Sequence, residues 1–187
     1  MASGYRIDGL QYCNWSRRIF QQMREAELDA VHVTATYWEN TRELLTNIGT
    51  WHRYFVEHAD LIVPVRTAAD IDHARATKRT GIIIGLQNCS PIEDSVDLVS
   101  VLKALDVHIM QLSYNNQSLL CTGYAEQQDS GLTKFGREVI REMNRVGMVE
   151  ERRHTAERST LEAIEFSTCP TVISHANPQS ARQTARN

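Results

Sequence analysis

The sequence predicts an α/β fold with a parallel sheet, and three observations carry that reading. Short apolar runs alternate with amphipathic helical stretches along the chain. One run, Gly81-Ile-Ile-Ile-Gly-Leu-Gln87, is apolar on successive residues, as a strand covered on both faces requires. From Gly131 to His175, two helix-then-strand units follow one another, and each ends its strand on a histidine, His154 and then His175. In a parallel α/β barrel, the C-terminal strand ends are where chemistry is sited.

Taken in order, Tyr5-Arg-Ile-Asp-Gly-Leu10 reads as a short first strand. Ser16 caps a helix over Arg17–Glu27, whose apolar face carries Ile19, Phe20 and Met23. Ala30–Thr36 is β-branched and reads as the second strand. A long helix from Glu39 to His58 places Leu44, Leu45, Ile48, Trp51, Tyr54 and Phe55 on one side, a stripe that means packing. Leu61–Val65 is a short extended segment that Pro64 keeps out of a central strand position. Thr67 opens a helix over Ala68–Thr77, with Asp70 in the place of a capping-box glutamate. The third strand, Gly81–Gln87, is followed by a helix over Ile92–Leu105 and a fourth strand over Val107–Ser113. Tyr114–Ser130 is a long polar loop, of the kind that is functional or mobile. Leu132 and Thr133 open an amphipathic helix in which Phe135, Val139, Ile140, Met143 and Val146 recur at helical spacing, and Gly147 stops it. The fifth strand follows up to His154, then a helix over Thr155–Ser167, then a sixth strand over Thr171–Ser174. No linker or fixed-period repeat interrupts this rhythm, so residues 1–187 read as a single domain.

Composition narrows the function classes. The net charge is −3 with acids and bases interspersed, which argues against nucleic acid as a partner. The four cysteines, Cys13, Cys89, Cys121 and Cys169, are widely spaced without a CxxC pair and fit a reduced, cytoplasmic protein. The first residues carry no apolar leader core, no apolar run approaches membrane-spanning length, and a membrane association is not expected. There is no G-x-S-x-G nucleophile elbow and no G-x-G-x-x-G phosphate loop.

The stretch Gly131-Leu-Thr-Lys-Phe-Gly-Arg-Glu-Val-Ile-Arg-Glu-Met-Asn-Arg-Val-Gly-Met148, followed by His154 and by Pro170-Thr-Val-Ile-Ser-His175, resembles the membrane (renal) dipeptidase family of zinc-dependent hydrolases. The resemblance extends more loosely over nearly the whole chain. It implies a (β/α)8 TIM-barrel type fold, here truncated after about six strands, since such a barrel takes about 250 residues. It implies a dipeptide-like small-molecule substrate and a pair of zinc ions activating water. An open sheet exposes its edges, so either the chain is a truncated product or a partner or a second copy of the chain covers the gap.

Position by position, the implied metal site is incomplete. His154 and His175 match two family ligands. Leu10 and Tyr12 stand where the first strand's histidine and aspartate would be, in Asp8-Gly-Leu-Gln-Tyr12. Gln87 stands at the bridging glutamate, a weak neutral donor at best. Tyr114 aligns with a substrate-binding histidine, and Arg186, before Asn187, with the arginine that binds the dipeptide carboxylate. Arginine suits that task because its planar fork makes paired hydrogen bonds. The resemblance thus implies zinc, one ion at most, and no catalytic residue is assigned.

The fifth strand departs again, reading Glu150-Glu151-Arg152-Arg153-His154. Burying charges costs several kcal/mol each unless they are paired, so this run is expected to be displaced or exposed, or else to mark a degenerate copy. Three functions stay open: a dipeptidase-like metallohydrolase, a non-catalytic or single-metal small-molecule-binding relative, and an inactive truncated copy.

Overall fold

A computed structural model describes residues 4–176. Arg186, the expected carboxylate ligand, lies outside them. The strands form one parallel, six-stranded sheet. β1 (Ile7–Gln11) pairs with β2 (Ala30–Thr34), β2 with β4 (Thr80–Leu86), β4 with β5 (Val107–Gln111), and β5 with β6 (Val149–Glu151). β3 (Ile62–Pro64) pairs with Thr80–Ile82 at the start of β4. Gly81 is in register with both Ala30 and Val63, so β2 and β3 lie on opposite edges of β4. β5 takes up the pairing further along, at Ile84–Leu86.

The strand inventory differs from the sequence expectation in two places. Leu61–Val65 does contain a strand, and Pro64 is tolerated because it ends it. Thr171–Ser174 is not a full strand: it contributes a single parallel bridge, Val172 to Glu151. That bridge is closed by Arg152 N–H to Val172 O at 3.0 Å and Val172 N–H to Glu150 O at 2.9 Å. Val172 therefore extends the sheet at one end while β1 begins it at the other. These two ends nonetheless approach each other, since a Cβ placed on Gly9 would lie 3.0 Å from the Ser174 carbonyl oxygen. The sheet is curled toward closure, as a barrel wall is.

The helices connect successive strands in the order α1 (Arg17–Glu25), α2 (Thr41–Glu57), α3 (Ala68–Ala76), α4 (Asp97–Ala104), α5 (Lys134–Val146) and α6 (Glu157–Phe166). α2 starts later than its sequence pattern suggests because Asn40 caps it, accepting the Glu43 N–H at 3.0 Å while Glu43 reaches back to the Asn40 N–H. In α3, Asp70 closes on the Thr67 N–H at 2.7 Å. The helix expected from Ile92 is instead a 3₁₀ turn at Ser90–Ile92, and α4 proper begins five residues after Ile92. Thr133 caps α5 by accepting the Gly136 N–H at 2.8 Å, and Gly147 ends it in the left-handed region at φ 71°.

The core lies between the sheet and these helices. Val31 and Val33 of β2, Ile82, Ile84 and Leu86 of β4, Leu44, Ile48 and Trp51 of α2, and Val139, Ile140 and Met143 of α5 are all buried in one cluster. The polar loop after β5 is folded back onto the domain: Leu120, Cys121 and Thr122 are fully buried, with bridges from Cys121 to Leu132 and from Gly123 to Thr155.

The charged run corrects the sequence expectation most clearly. Val149–Glu151 is a paired strand, and Glu150, Glu151 and Arg152 are 1%, 0% and 2% exposed. The cost of burial is partly offset by pairing across the alternation of the strand, while Arg152 Nε and Nη1 have no hydrogen-bond partner among the described residues. Glu150 and Arg152, two apart, share a face and meet at 2.6 Å. Glu150 also accepts the Ser167 hydroxyl at 2.6 Å, at the end of α6. Burial pushes the Glu150 carboxyl above its usual range and the Arg152 guanidinium below its own, each partly opposed by the other's charge. Glu151 points the other way and binds backbone: Oε1 accepts Arg153 N–H at 3.0 Å, and both oxygens lie 3.1 Å from Ser174 N.

Candidate functional site

The C-terminal ends of β1, β2, β5 and β6 carry the candidate site. His154, three residues past β6, is buried and adopts φ 66°. Asn115, in the loop after β5, is also left-handed at φ 66°. The two are joined by a 2.6 Å contact between His154 Nδ1 and Asn115 Oδ1. Two non-glycine residues held in a sparsely populated conformation and bonded to each other mark a spot where geometry is imposed by the surroundings. The His154 carbonyl is fixed in turn by Tyr124 N–H at 3.0 Å.

His175 arrives from the segment after α6, and its Nε2 lies 3.2 Å from Nε2 of His154. Its Nδ1 lies 2.7 Å from the Ser174 hydroxyl, and Ser174 is itself anchored to Glu151 through its backbone. The two histidines expected from the sequence thus meet, on one side of the sheet. With Nδ1–H of His154 donating to Asn115, the His154 Nε2 presents a lone pair toward His175. Two imidazole nitrogens this close need something shared between them, either one proton or one metal ion.

The described residues offer a metal two imidazole nitrogens. Two nitrogens on a single tetrahedral zinc stand about 3.4 Å apart, close to the observed separation. Among the described residues, however, no group of three or more His, Cys, Asp or Glu side chains converges as a metal site. Leu10 is half-buried at the end of β1, and Tyr12 just beyond it is exposed. The carboxylate of Asp8 is engaged by Gln11 Nε2 at 2.8 Å and Leu10 N–H at 3.1 Å. Gln87 is buried one residue past β4, its backbone N–H donating to Thr36 O at 3.0 Å. Burial pushes the Cys89 thiol up to about 12 and the Cys121 thiol up to about 11, leaving both protonated.

Tyr114 is brought to the site, its ring centroid 4.3 Å from that of His154. It belongs to a larger array that residue-by-residue matching missed. Tyr12, Tyr37 and Tyr114 stack edge to face in sequence, with centroids 4.9 and 5.5 Å apart, and Trp38 meets Tyr114 at 5.2 Å. The legible signal was two consecutive aromatics, Tyr37 and Trp38, directly after a β-branched strand. Asn115, Glu151 and Ser174, which hold the histidines, had no signal beyond their place beside them. A cavity of about 170 Å³ opens next to His154, lined in part by Tyr124, Thr155 and Ile173.

Comparison with known proteins agrees with this architecture. The family described as membrane dipeptidase (peptidase family M19) matches residues 15–187. Dipeptidase verJ of Clonostachys rogersoniana is 26% identical over 179 residues, covering 92% of this chain and 45% of verJ. Dipeptidase tcpJ of Claviceps purpurea is 22% identical, covering 85% of this chain and 37% of tcpJ. The chain therefore spans less than half the length of these curated relatives. An amidohydrolase from Pseudomonas aeruginosa superposes with a TM-score of 0.95 at 38% identity, over 98% of this chain and 56% of that one. A metallo peptidase from Rhodobacter sphaeroides, solved with a phosphinate mimic of the dipeptide L-Ala-D-Ala, superposes with a TM-score of 0.84 at 14% identity, over 98% and 68% of the respective chains. By the extent of the match along its length, the chain belongs to the membrane dipeptidase family, peptidase family M19.

Proposed function

We propose that this chain carries the mouth of a dipeptidase-type hydrolase fold that recognises a small dipeptide-like molecule and holds at most one divalent ion, through His154 and His175. The observation that carries the reading is the 3.2 Å approach of the two Nε2 atoms, without a third converging His, Cys, Asp or Glu donor among the described residues. Zinc, when bound, would polarise a carbonyl or a water as a Lewis acid. The chain's own residues do the rest. Asn115 fixes the tautomer of His154, Glu151 holds the segment that presents His175, and Tyr114 walls the site. Arg186, outside the described residues, is proposed to take the ligand's carboxylate as a bidentate partner. With two imidazoles in place of the usual three protein ligands, dipeptide hydrolysis is expected to be weak or absent. A cytoplasmic setting accords with the four unpaired cysteines.

The aromatic side chain at position 12 favours a second reading, a small-molecule-binding relative without peptidase activity. The first reading is tested by metal content from inductively coupled plasma, with dipeptide turnover measured before and after chelation. The expected result is no more than one ion per chain, lost in His154→Ala, with negligible turnover. Asn115→Ala should weaken metal affinity about tenfold, as loss of an orienting partner does. Two ions per chain with efficient, chelator-sensitive turnover would overturn the reading.

A further inference from the structure

The aromatic array at the barrel mouth lines an open cavity that adjoins the two histidines through Tyr114. Tyr12, Tyr37, Trp38 and Tyr114 line one open cavity of about 610 Å³, and the other lining residues are Glu39 and Glu43. The rings come from the ends of β1, β2 and β5. They stand nearly perpendicular to one another, at 83°, 72° and 87° for the pairs Tyr12–Tyr37, Tyr37–Tyr114 and Trp38–Tyr114. Perpendicular rings make the walls of a box rather than a stack. Trp38 is 57% exposed and Tyr12 70% exposed.

The two carboxylates set the sign of what the box accepts. Glu39 spends Oε2 on the backbone N–H groups of Tyr37 and Trp38, at 2.5 and 2.9 Å. Glu43 spends Oε2 on the Asn40 N–H at 3.0 Å. Each carboxylate is thereby held in place beside the rings. Among the described residues, no lysine or arginine lines the cavity. Burial, reinforced by Tyr12, Tyr114 and Glu39, holds the Tyr37 hydroxyl well above the usual phenol range, so the ring stays neutral. Electron-rich ring faces and carboxylates both attract cations, and an alkylated ammonium matches both while offering the apolar surface the rings require.

We propose that this cavity is a binding site for a small organic cation bearing an alkylated ammonium group, formed by Tyr12, Tyr37, Trp38 and Tyr114 with Glu39 and Glu43. It goes beyond the dipeptidase reading and needs neither metal ion nor peptide.

The test is calorimetric titration of the full chain with choline, in the presence of chelator, beside its neutral isostere 3,3-dimethylbutan-1-ol. Choline should bind saturably at one site and the isostere at least about tenfold more weakly, since only the charge differs. Trp38→Ala should weaken choline binding about tenfold, and Trp38→Phe less than that. Glu39→Gln should weaken choline while leaving the isostere unchanged. The exposure of Trp38 makes its variants safe to fold, and thermal melts would verify this for them and for Glu39→Gln. A peptide carrying trimethyl-lysine, run in parallel, distinguishes a protein-borne headgroup from a free one, and the tighter binder names the source. Equal affinity for choline and its isostere, or an unchanged affinity in Trp38→Ala, would overturn the proposal. Because chelator is present throughout, that failure would leave the two-histidine reading standing, and the converse also holds.

Discussion

His32 is 3% exposed in the middle of β2, with Nδ1 at 2.8 Å from the Gly9 carbonyl and Nε2 without a partner against Gly85. Burial drives its pKa down to about 4 from 6.5, so it folds neutral. Between those two values the unfolded chain binds the proton and the folded chain does not. Stability therefore falls as pH drops from 6.5 toward 4, by about 3 kcal/mol in all, and is fully present above 6.5. Denaturant titrations across that range should show this slope, and His32→Gln should flatten it while keeping a donor for Gly9. A second residue-scale prediction concerns the buried pair. Removing one member, as in Arg152→Met, should cost about 3–5 kcal/mol by leaving the buried Glu150 without its counter-charge, whereas replacing both by apolar residues should cost much less. Chemical denaturation of the single and double variants measures the difference. The sequence announced His154 and His175 because they close recognisable strand units. It concealed the pairing of Glu150 with Arg152, because a run of four charges looks like surface until strand alternation and the end of α6 supply partners.

At the scale of elements, α5 was legible nearly residue for residue. Its apolar spacing, Thr133 cap and Gly147 stop are local chemistry that a sequence carries openly. Two of its glycines should respond differently to alanine. Gly147 has open space around it, so Gly147→Ala pays only for a left-handed backbone, about 1–2 kcal/mol. A Cβ at Gly136 would lie 2.2 Å from the Leu120 carbonyl oxygen, where backbone meets backbone. Gly136→Ala should therefore push the helix off the folded-back loop and lower the melting temperature more than Gly147→Ala does. The start of α4 and the single bridge at Val172 were less legible, since both depend on what neighbouring segments do. The same holds for the mouth: each aromatic side chain is visible in the sequence, but their convergence depends on how the sheet curls.

For the whole molecule, the sheet is hydrogen-bonded most fully at its centre. β4 has partners along both edges, while β1 pairs through one edge only and meets Ser174 by contact rather than by a ladder. Hydrogen exchange should accordingly be slowest in Thr80–Leu86 and faster in Ile7–Gln11, and uniform protection of the two would contradict this picture. The Glu151 carboxylate supplies a sharper probe. An N–H held by a buried carboxylate resonates far from its neighbours, and Ser174 has such an N–H, as does Arg153. In a ¹⁵N spectrum the Ser174 cross-peak would act as a gauge of whether the chain's last described turn is seated against β6, and so of whether His175 is facing His154, legible before any metal or ligand is added.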